Sequence, residues 1–426
     1  MTPHCPSLSR IVLFALLSLL LAACAGTPTA VTGASTPAAR SVLLVSLDGF
    51  RADDIHPVRT SVLARLAADG VRADWMTPSY PTLTFPNHYT MVTGLRPDRH
   101  GIVHNTMRDA SLGRFRLADR EAVGDGRWWQ GEPIWVTAER AGLPTATLFW
   151  PGSEAAVGGV RPARWTVFDK DMAMAARVDT VLGWLTEPAA TRPRFATLYF
   201  EAIDVASHDH GPDSPQARDA VRDVDAALGR LVEGLAARRQ LDAVDLVIVS
   251  DHGMATVPPG QVVALEDMVS PDDAEVVTGG QVVGFVPKPG REAAAERALL
   301  GAHDHYDCWR KGALPARWHY GTHPRIPPIV CQMHAGWDAL PRAAIARRPD
   351  HARGSHGYDP QSPSMRALFV AHGPSFRNGV RIAPFHNVDV YPLLAHLLGV
   401  PPAPNDGDAG TWQPALKPAA ATPAPL

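Results

Sequence analysis

Three aspartates stand where apolar runs stop. Ser41–Leu47 leads into Asp48-Gly49, Phe195–Ile203 leads into Asp204, and Val244–Ser250 leads into Asp251-His252-Gly253. His208 follows one turn of helix, or one short loop, after Asp204, and His356 sits in Arg353-Gly354-Ser355-His356-Gly357-Tyr358-Asp359. Asp-x-x-x-His brings a carboxylate and an imidazole to one side of a helix, and glycine beside His356 lets the backbone approach a site closely. Oxygen and imidazole donors without thiolates suit zinc, with manganese or iron as weaker matches. Buried without a metal, such a set would need costly pairing. The competing explanation is a group of solvent-exposed turn histidines, because a chain with 18 histidines forms chance clusters. His303-Asp304-His305 has equally metal-like spacing and reads as a solvated surface turn.

A hydroxyl belongs with these groups. In Pro81-Thr82-Leu83-Thr84-Phe85-Pro86-Asn87-His88, Thr84 stands between prolines that exclude a strand interior. A helix is expected to begin near Asn87 and stop at Gly94. Thr84 then lies on a stiff turn just before a helix N-terminus, where free amides and the helix dipole favour an anion such as a phosphate. Metal coordination is one route by which a threonine hydroxyl, weak on its own, becomes a nucleophile. The plainer reading is a proline-rich loop capping a helix.

The elements that must position these groups follow an α/β pattern. In 426 residues, 46% are hydrophobic and 19% charged, so a large core is available. A net charge of −3 gives no sign of the basic surface expected for duplex nucleic-acid binding. Strands are expected at 41–47, 146–150, 195–203, 244–250, 282–286, 329–333 and 366–371, and helices at 60–69, 213–237 and 388–398. Alternating strands and helices predict one large α/β domain, 41–408, with a mostly parallel sheet. The first strand, apolar throughout, reads as buried on both faces. Arg10, the apolar run Ile11–Leu21 and small residues after it have the layout of a signal peptide. Leu21-Ala22-Ala23-Cys24 is similar to a bacterial lipobox, which makes 1–24 a leader ending at a lipidated Cys24; ordinary cleavage nearby is the alternative. Residues 25–40 read as a flexible linker and 409–426 as a disordered Ala/Pro tail. Exported chains permit disulfides, so Cys308 and Cys331 are expected to pair; two separate buried thiols are the alternative.

Several stretches, in order, carry a family resemblance. Pro81–His88, Thr93-Gly94-Leu95, His100-Gly101-Ile102-Val103, Asn105, Trp150-Pro151-Gly152-Ser153-Glu154, Ser250–Met254, Gly354–Asp359 and Ala403–Gly407 resemble the nucleotide pyrophosphatase/phosphodiesterases of the alkaline phosphatase superfamily, here in a bacterial form. The resemblance covers the chain from about Ser41 to Gly407. It implies an alkaline-phosphatase-like α/β/α sandwich and two zinc ions, one held by Asp48, Asp251, His252 and Thr84, the other by Asp204, His208 and His356. It also implies that Thr84 attacks phosphorus to give a covalent phosphothreonine. Asn105 and the Phe85 backbone N–H would hold a phosphate oxygen, Phe85 and Phe168 would stack on the two faces of a nucleobase, and Trp150 and Glu154 would line the same pocket. The segment Pro151–Asp169 is present in nucleotide-cleaving members, whereas the lysophospholipase D branch lacks it. Leu83 departs from the lysine of many animal members, which removes a positive charge near the phosphates.

The function expected from the resemblance is hydrolysis of nucleotide phosphodiester or phosphoanhydride bonds to nucleoside 5′-monophosphates. The location expected is the periplasm, with the outer membrane as anchor. A phosphomonoesterase or a phospholipid-head-group diesterase on the same fold is the alternative. Thr84 in place of a cysteine argues against a sulfatase, and fully occupied ligand positions argue against a binding protein with a decayed site.

Overall fold

The computed structural model describes residues 40–418 and Met1. The leader, Cys24 and the linker up to Ala39 lie outside the described residues, as does the end of the tail from 419.

Ser41–Leu47 (β1) is buried along its whole length, and its side chains alternate between two apolar cores. Val42 and Leu44 enter one core with Tyr89, Met91 and Leu394. Leu43, Val45 and Leu47 enter the other with Leu63, Leu228 and Leu231. An uninterrupted apolar run is what a strand covered on both faces requires. The main sheet is completed by Val71–Ala73 (β2), Thr145–Leu148 (β3), Arg164–Thr166 (β4), Phe195–Phe200 (β5), Val244–Val249 (β6), Phe369–His372 (β7) and Val380–Ile382 (β8), in the order β8-β2-β7-β6-β1-β5-β3-β4. β1 pairs in parallel with β5 on one side and β6 on the other. β7 alone runs antiparallel to both its neighbours. Helices Ser61–Asp69 (α1), Thr84–Thr93 (α2), Ala202–His210 (α3), Pro215–Ala237 (α4) and Val390–Leu398 (α5) pack on the two faces. The result is the alkaline-phosphatase-like α/β/α sandwich with a mostly parallel sheet.

Four expectations are corrected. α2 starts at Thr84, not near Asn87, because a proline in the first helical turn forfeits only an N–H that has no intrahelical partner there. β5 ends at Phe200, and Asp204 lies on α3; the apolar Ala202 and Ile203 that extended the run belong to that helix. The strands at 282–287 and 329–333 leave the main sheet for a five-stranded antiparallel sheet of their own, since an apolar run does not reveal its partner. There Cys308 and Cys331 face each other directly and are joined by a disulfide. Finally, the chain past 408 is ordered to 418: Trp412 is 1% exposed, donates Nε1–H to Asp389 O at 2.7 Å and packs on Phe369 and Phe385.

Candidate active site

Parallel pairing of β5, β1 and β6 brings their carboxyl ends side by side, where ligands collect in open α/β sheets. Asp48 follows β1 and Asp251-His252 follow β6, all essentially buried. Asp204 and His208 lie one turn apart on α3, with His208 Nε2 3.5 Å from Asp204 Oδ1. His356 follows the strand Arg353–Ser355 and sets Nε2 3.6 Å from the same oxygen. His252 Nε2 is 2.9 Å from Asp251 Oδ2 and 3.6 Å from Asp48 Oδ1. Gly49 makes this crowding possible. Its φ is +71°, its N–H donates to Asp251 Oδ1 at 3.2 Å, and a Cβ there would lie 3.2 Å from Asp204 Cα.

Two ligand groups result: Asp48, Asp251 and His252, and Asp204, His252 and His356, the atoms of each within 4.8 Å of one another. His208, expected in the second group, approaches it only through Asp204 and lies outside both groups. The donor chemistry fits a metal. Asp48 Oδ1, Asp204 Oδ1 and Asp251 Oδ2 are buried without a hydrogen-bond partner among the described residues, a costly arrangement unless a cation satisfies them. Each histidine directs Nδ1 to a backbone carbonyl: His208 to Gly354 at 2.9 Å, His252 to Gly253 at 2.9 Å and His356 to Thr82 at 3.0 Å. Nδ1–H donation there leaves the Nε2 lone pair for a metal. His303-Asp304-His305 belongs to neither ligand group; His303 bonds Leu299 O and His305 stacks on Trp337.

The electrostatics point the same way. Burial, together with repulsion from Asp251 and Asp204, pushes the Asp48 carboxyl well above its ordinary range, although Tyr199 donates its hydroxyl to Oδ2 at 2.6 Å. Asp204 is raised chiefly by burial. Burial opposes ionisation of Asp251 as well, but His252 and His88 outweigh it and hold that carboxyl well below its usual value. Burial holds His356 well below the ordinary histidine range, which keeps its nitrogen available as a ligand. Three carboxylates without an arginine or lysine among them are matched by divalent cations.

Thr84 opens α2, with its Oγ1 3.4 Å from His252 Nε2. The loop before it is held by Asn87, which accepts from Ser79 N–H and donates to Pro81 O and Leu83 O. His88, one turn further along α2, places Nδ1 2.9 Å from Thr84 O and 3.4 Å from Asp251 Oδ2, and Nε2 2.7 Å from Ser46 Oγ. The Phe85 N–H donates to Asn105 Oδ1 at 3.0 Å. The Phe85 amide is committed to orienting Asn105, and the Asn105 Nδ2 hydrogens are what remain for a phosphate oxygen.

A cavity of about 300 Å³ opens beside Thr84, Asp48 and Asp204, walled by Phe85, Trp150, Glu154 and Phe168. Phe85 leans on Phe115 and Trp129, and Phe168 on Phe149 and Tyr199. Trp150 is buried and donates Nε1–H to His88 O at 3.1 Å. Leu83 does not line the cavity; it is 6% exposed and packs toward Gly357. The residues expected at the site therefore converge. Tyr199, Arg120, Lys170 and Glu201 also line the cavity and were not anticipated. Tyr199 sits in an apolar strand and reads as core, while the other three are single charges in ordinary contexts.

Comparison with known proteins agrees with this geometry. The family model for type I phosphodiesterase / nucleotide pyrophosphatase matches residues 42–359. An uncharacterised pyrophosphatase/phosphodiesterase of Schizosaccharomyces pombe is 36% identical over 382 residues, covering 86% of this chain and 78% of the relative. Human ectonucleotide pyrophosphatase/phosphodiesterase family member 7 is 35% identical, covering 97% of this chain and 91% of the relative. The solved structure of the murine family member 5, an inactive Thr-to-Ala form in complex with AMP, superposes with a TM-score of 0.84 at 33% identity, over 89% of this chain and 100% of that one. The chain belongs to the type I phosphodiesterase / nucleotide pyrophosphatase family. It is an enzyme of the nucleotide pyrophosphatase/phosphodiesterase class, and its Asp/His clusters can bind metal.

Proposed function

We propose that this enzyme cleaves nucleotide diesters or phosphoanhydrides to nucleoside 5′-monophosphates through a covalent phosphothreonine on Thr84. The observation that carries the reading is the Thr84 hydroxyl, at the first residue of a helix, against His252 and open to an aromatic-walled cavity. Two zinc ions are the proposed cofactors, one with Asp48, Thr84, Asp251 and His252, the other with Asp204, His208 and His356. Bound there, they would supply charge neutralisation and a lowered hydroxyl pKa. Thr84 Oγ1 gives up its proton and attacks phosphorus in line with the departing oxygen, which leaves carrying the electron pair of the broken P–O bond; a water then attacks the phosphothreonine, releasing the nucleoside 5′-monophosphate and returning the threonine hydroxyl. Asn105, fixed by the Phe85 N–H, donates its amide to a non-bridging oxygen that gains charge in the transition state. Phe85 and Phe168 hold the base by stacking, and Trp150 and Glu154 close the pocket around it.

The test compares the 4-nitrophenyl ester of a nucleoside 5′-monophosphate with 4-nitrophenyl phosphate. The diester is expected to be turned over at least about 100-fold faster in kcat/KM, the order lost when one well-placed transition-state donor is missing. Preference for the monoester would sink the diesterase reading and favour a phosphomonoesterase.

We also propose that the enzyme is a bacterial lipoprotein, exported by residues 1–24, anchored to the outer membrane through Cys24 and facing the periplasm, with 25–40 as its tether. The support is the apolar run ending in Leu21-Ala22-Ala23-Cys24. Native protein is expected in the detergent-rich phase on phase partitioning, and the Cys24→Ala protein in the aqueous phase. Identical partitioning of the two would refute the anchor.

A further inference from the structure

The catalytic cavity has a polar wall that the reaction does not use. Glu154 is 8% exposed. Its Oε1 accepts from the Phe168 N–H at 3.1 Å, and its Oε2 is taken by Arg120 Nη2. Glu154 therefore ties the aromatic face at Phe168 to Arg120, so the edge of a base stacked there meets this ion pair. The second carboxylate on the wall, Glu201, is also committed: Arg177 grips both of its oxygens, at 2.5 and 2.8 Å. Arg120 is not. It opens the short helix Arg120–Gly124, lines the cavity, and its Nε and Nη1 have no hydrogen-bond partner among the described residues. Lys170 also lines the cavity, with its ammonium paired to the neighbouring Asp171 at 2.6 Å. The unpartnered polar atoms that Arg120 brings to this wall are therefore all donors.

We propose that Arg120 is a specificity residue that selects nucleotides whose base presents a carbonyl oxygen at its outer edge. Guanine and hypoxanthine offer O6 beside N7, the pair of acceptors that an arginine fork matches, and uracil offers O4. Adenine and cytosine place an amino group at those positions, a donor against the guanidinium donors. Each oxygen of the Glu154 carboxylate already accepts one hydrogen bond, and Arg120 itself offers an amine no acceptor. A carbonyl oxygen therefore gains an arginine contact that an amino group does not, which turns a hydrogen-bond preference into a modest discrimination. The inference rests on the proposed nucleotide diesterase activity and concerns which bases that activity favours.

The experiment measures kcat/KM for the 4-nitrophenyl esters of inosine and adenosine 5′-monophosphates, and of the uridine and cytidine pair, with bis(4-nitrophenyl) phosphate as a substrate without a base. In the wild-type enzyme the oxo member of each pair is expected to lead by roughly 10-fold, as one good arginine–base contact provides. Arg120→Ala is expected to bring both ratios near 1. Arg120→Lys, which keeps the charge but loses the planar fork, is expected to fall between. Equal or reversed ratios in the wild type overturn the inference and leave the diesterase reading standing, provided the esters are hydrolysed. Equal loss on both members of a pair in Arg120→Ala also overturns it, because the arginine then serves only to hold Glu154 and Phe168. If neither the nucleotide esters nor bis(4-nitrophenyl) phosphate is hydrolysed by an enzyme that cleaves 4-nitrophenyl phosphate, the diesterase reading falls and takes the inference with it.

Discussion

Gly49 separates two of the carboxylates by the smallest residue available. A methyl group there would meet Asp204 Cα at 3.2 Å and Asp204 Oδ1 at 3.3 Å, on a backbone at φ +71° that disfavours any side chain. Gly49→Ala is therefore expected to leave the sheet intact but to displace Asp204 from Asp48 and Asp251. The expected loss in kcat/KM is at least about 100-fold, since small misplacements of a catalytic array cost that much. Bound metal, measured by elemental analysis, is expected to fall with it; wild-type activity and metal content would refute this role. Much of the residue scale was legible beforehand, because Asp48, Asp204, Asp251 and their histidines stand beside strand ends or at helical spacing. Tyr199 was not, since a tyrosine in an apolar strand looks the same whether its hydroxyl meets Asp48 or a core carbonyl. The Phe85–Asn105 bond was hidden too, for a backbone amide leaves no mark in the sequence.

At the scale of elements, α2 carries the nucleophile and is held by the segment that follows it. His100 is fully buried against this helix, with Nε2 3.0 Å from Thr90 Oγ1, and His104 is 6% exposed. Burial pushes His100 down to about 3 and His104 down to about 4. The sign follows from linkage. The folded state keeps both neutral while the unfolded state protonates them near their ordinary value of 6.5, so their contribution to stability is complete above that pH. It is lost as pH falls through 6.5 toward the folded values. Urea unfolding between pH 5 and 6 is expected to show a slope of stability with pH that His104→Gln reduces by about 1.4 kcal/mol per pH unit, one proton's worth. An unchanged slope in that variant would contradict the buried neutral state. The helix boundaries themselves were only partly legible. Gly94, in the left-handed conformation, ends α2 as its position suggests. The start was placed late because Pro86 looks like a breaker yet occupies the first turn, where it is tolerated.

For the whole molecule, parallel order around β1 sets the site, and that order was readable from fully apolar strands. Which apolar strands join which sheet was not: 282–287 and 329–333 carry the same signal as β1 but pair with each other, and 329–333 pairs on its other side with the disulfide-bearing strand Tyr306–Arg310. Nor was the ordered end, because the segment is rich in alanine and proline, while what holds it is the burial of Trp412 and Ala415 and hydrogen bonds from Thr411 and Trp412 to Asp389. All of these layers converge on the hydroxyl of Thr84. Its role is tested most directly by mixing enzyme with a nucleotide diester, quenching in acid within one turnover and examining the peptide that contains it by mass spectrometry. The expected result is a mass gain of one nucleotidyl group, a nucleoside monophosphate less water, on Thr84 in the wild type, with neither adduct nor turnover in Thr84→Ala. Full turnover by Thr84→Ala, without any adduct on the wild-type peptide, would contradict a threonine nucleophile.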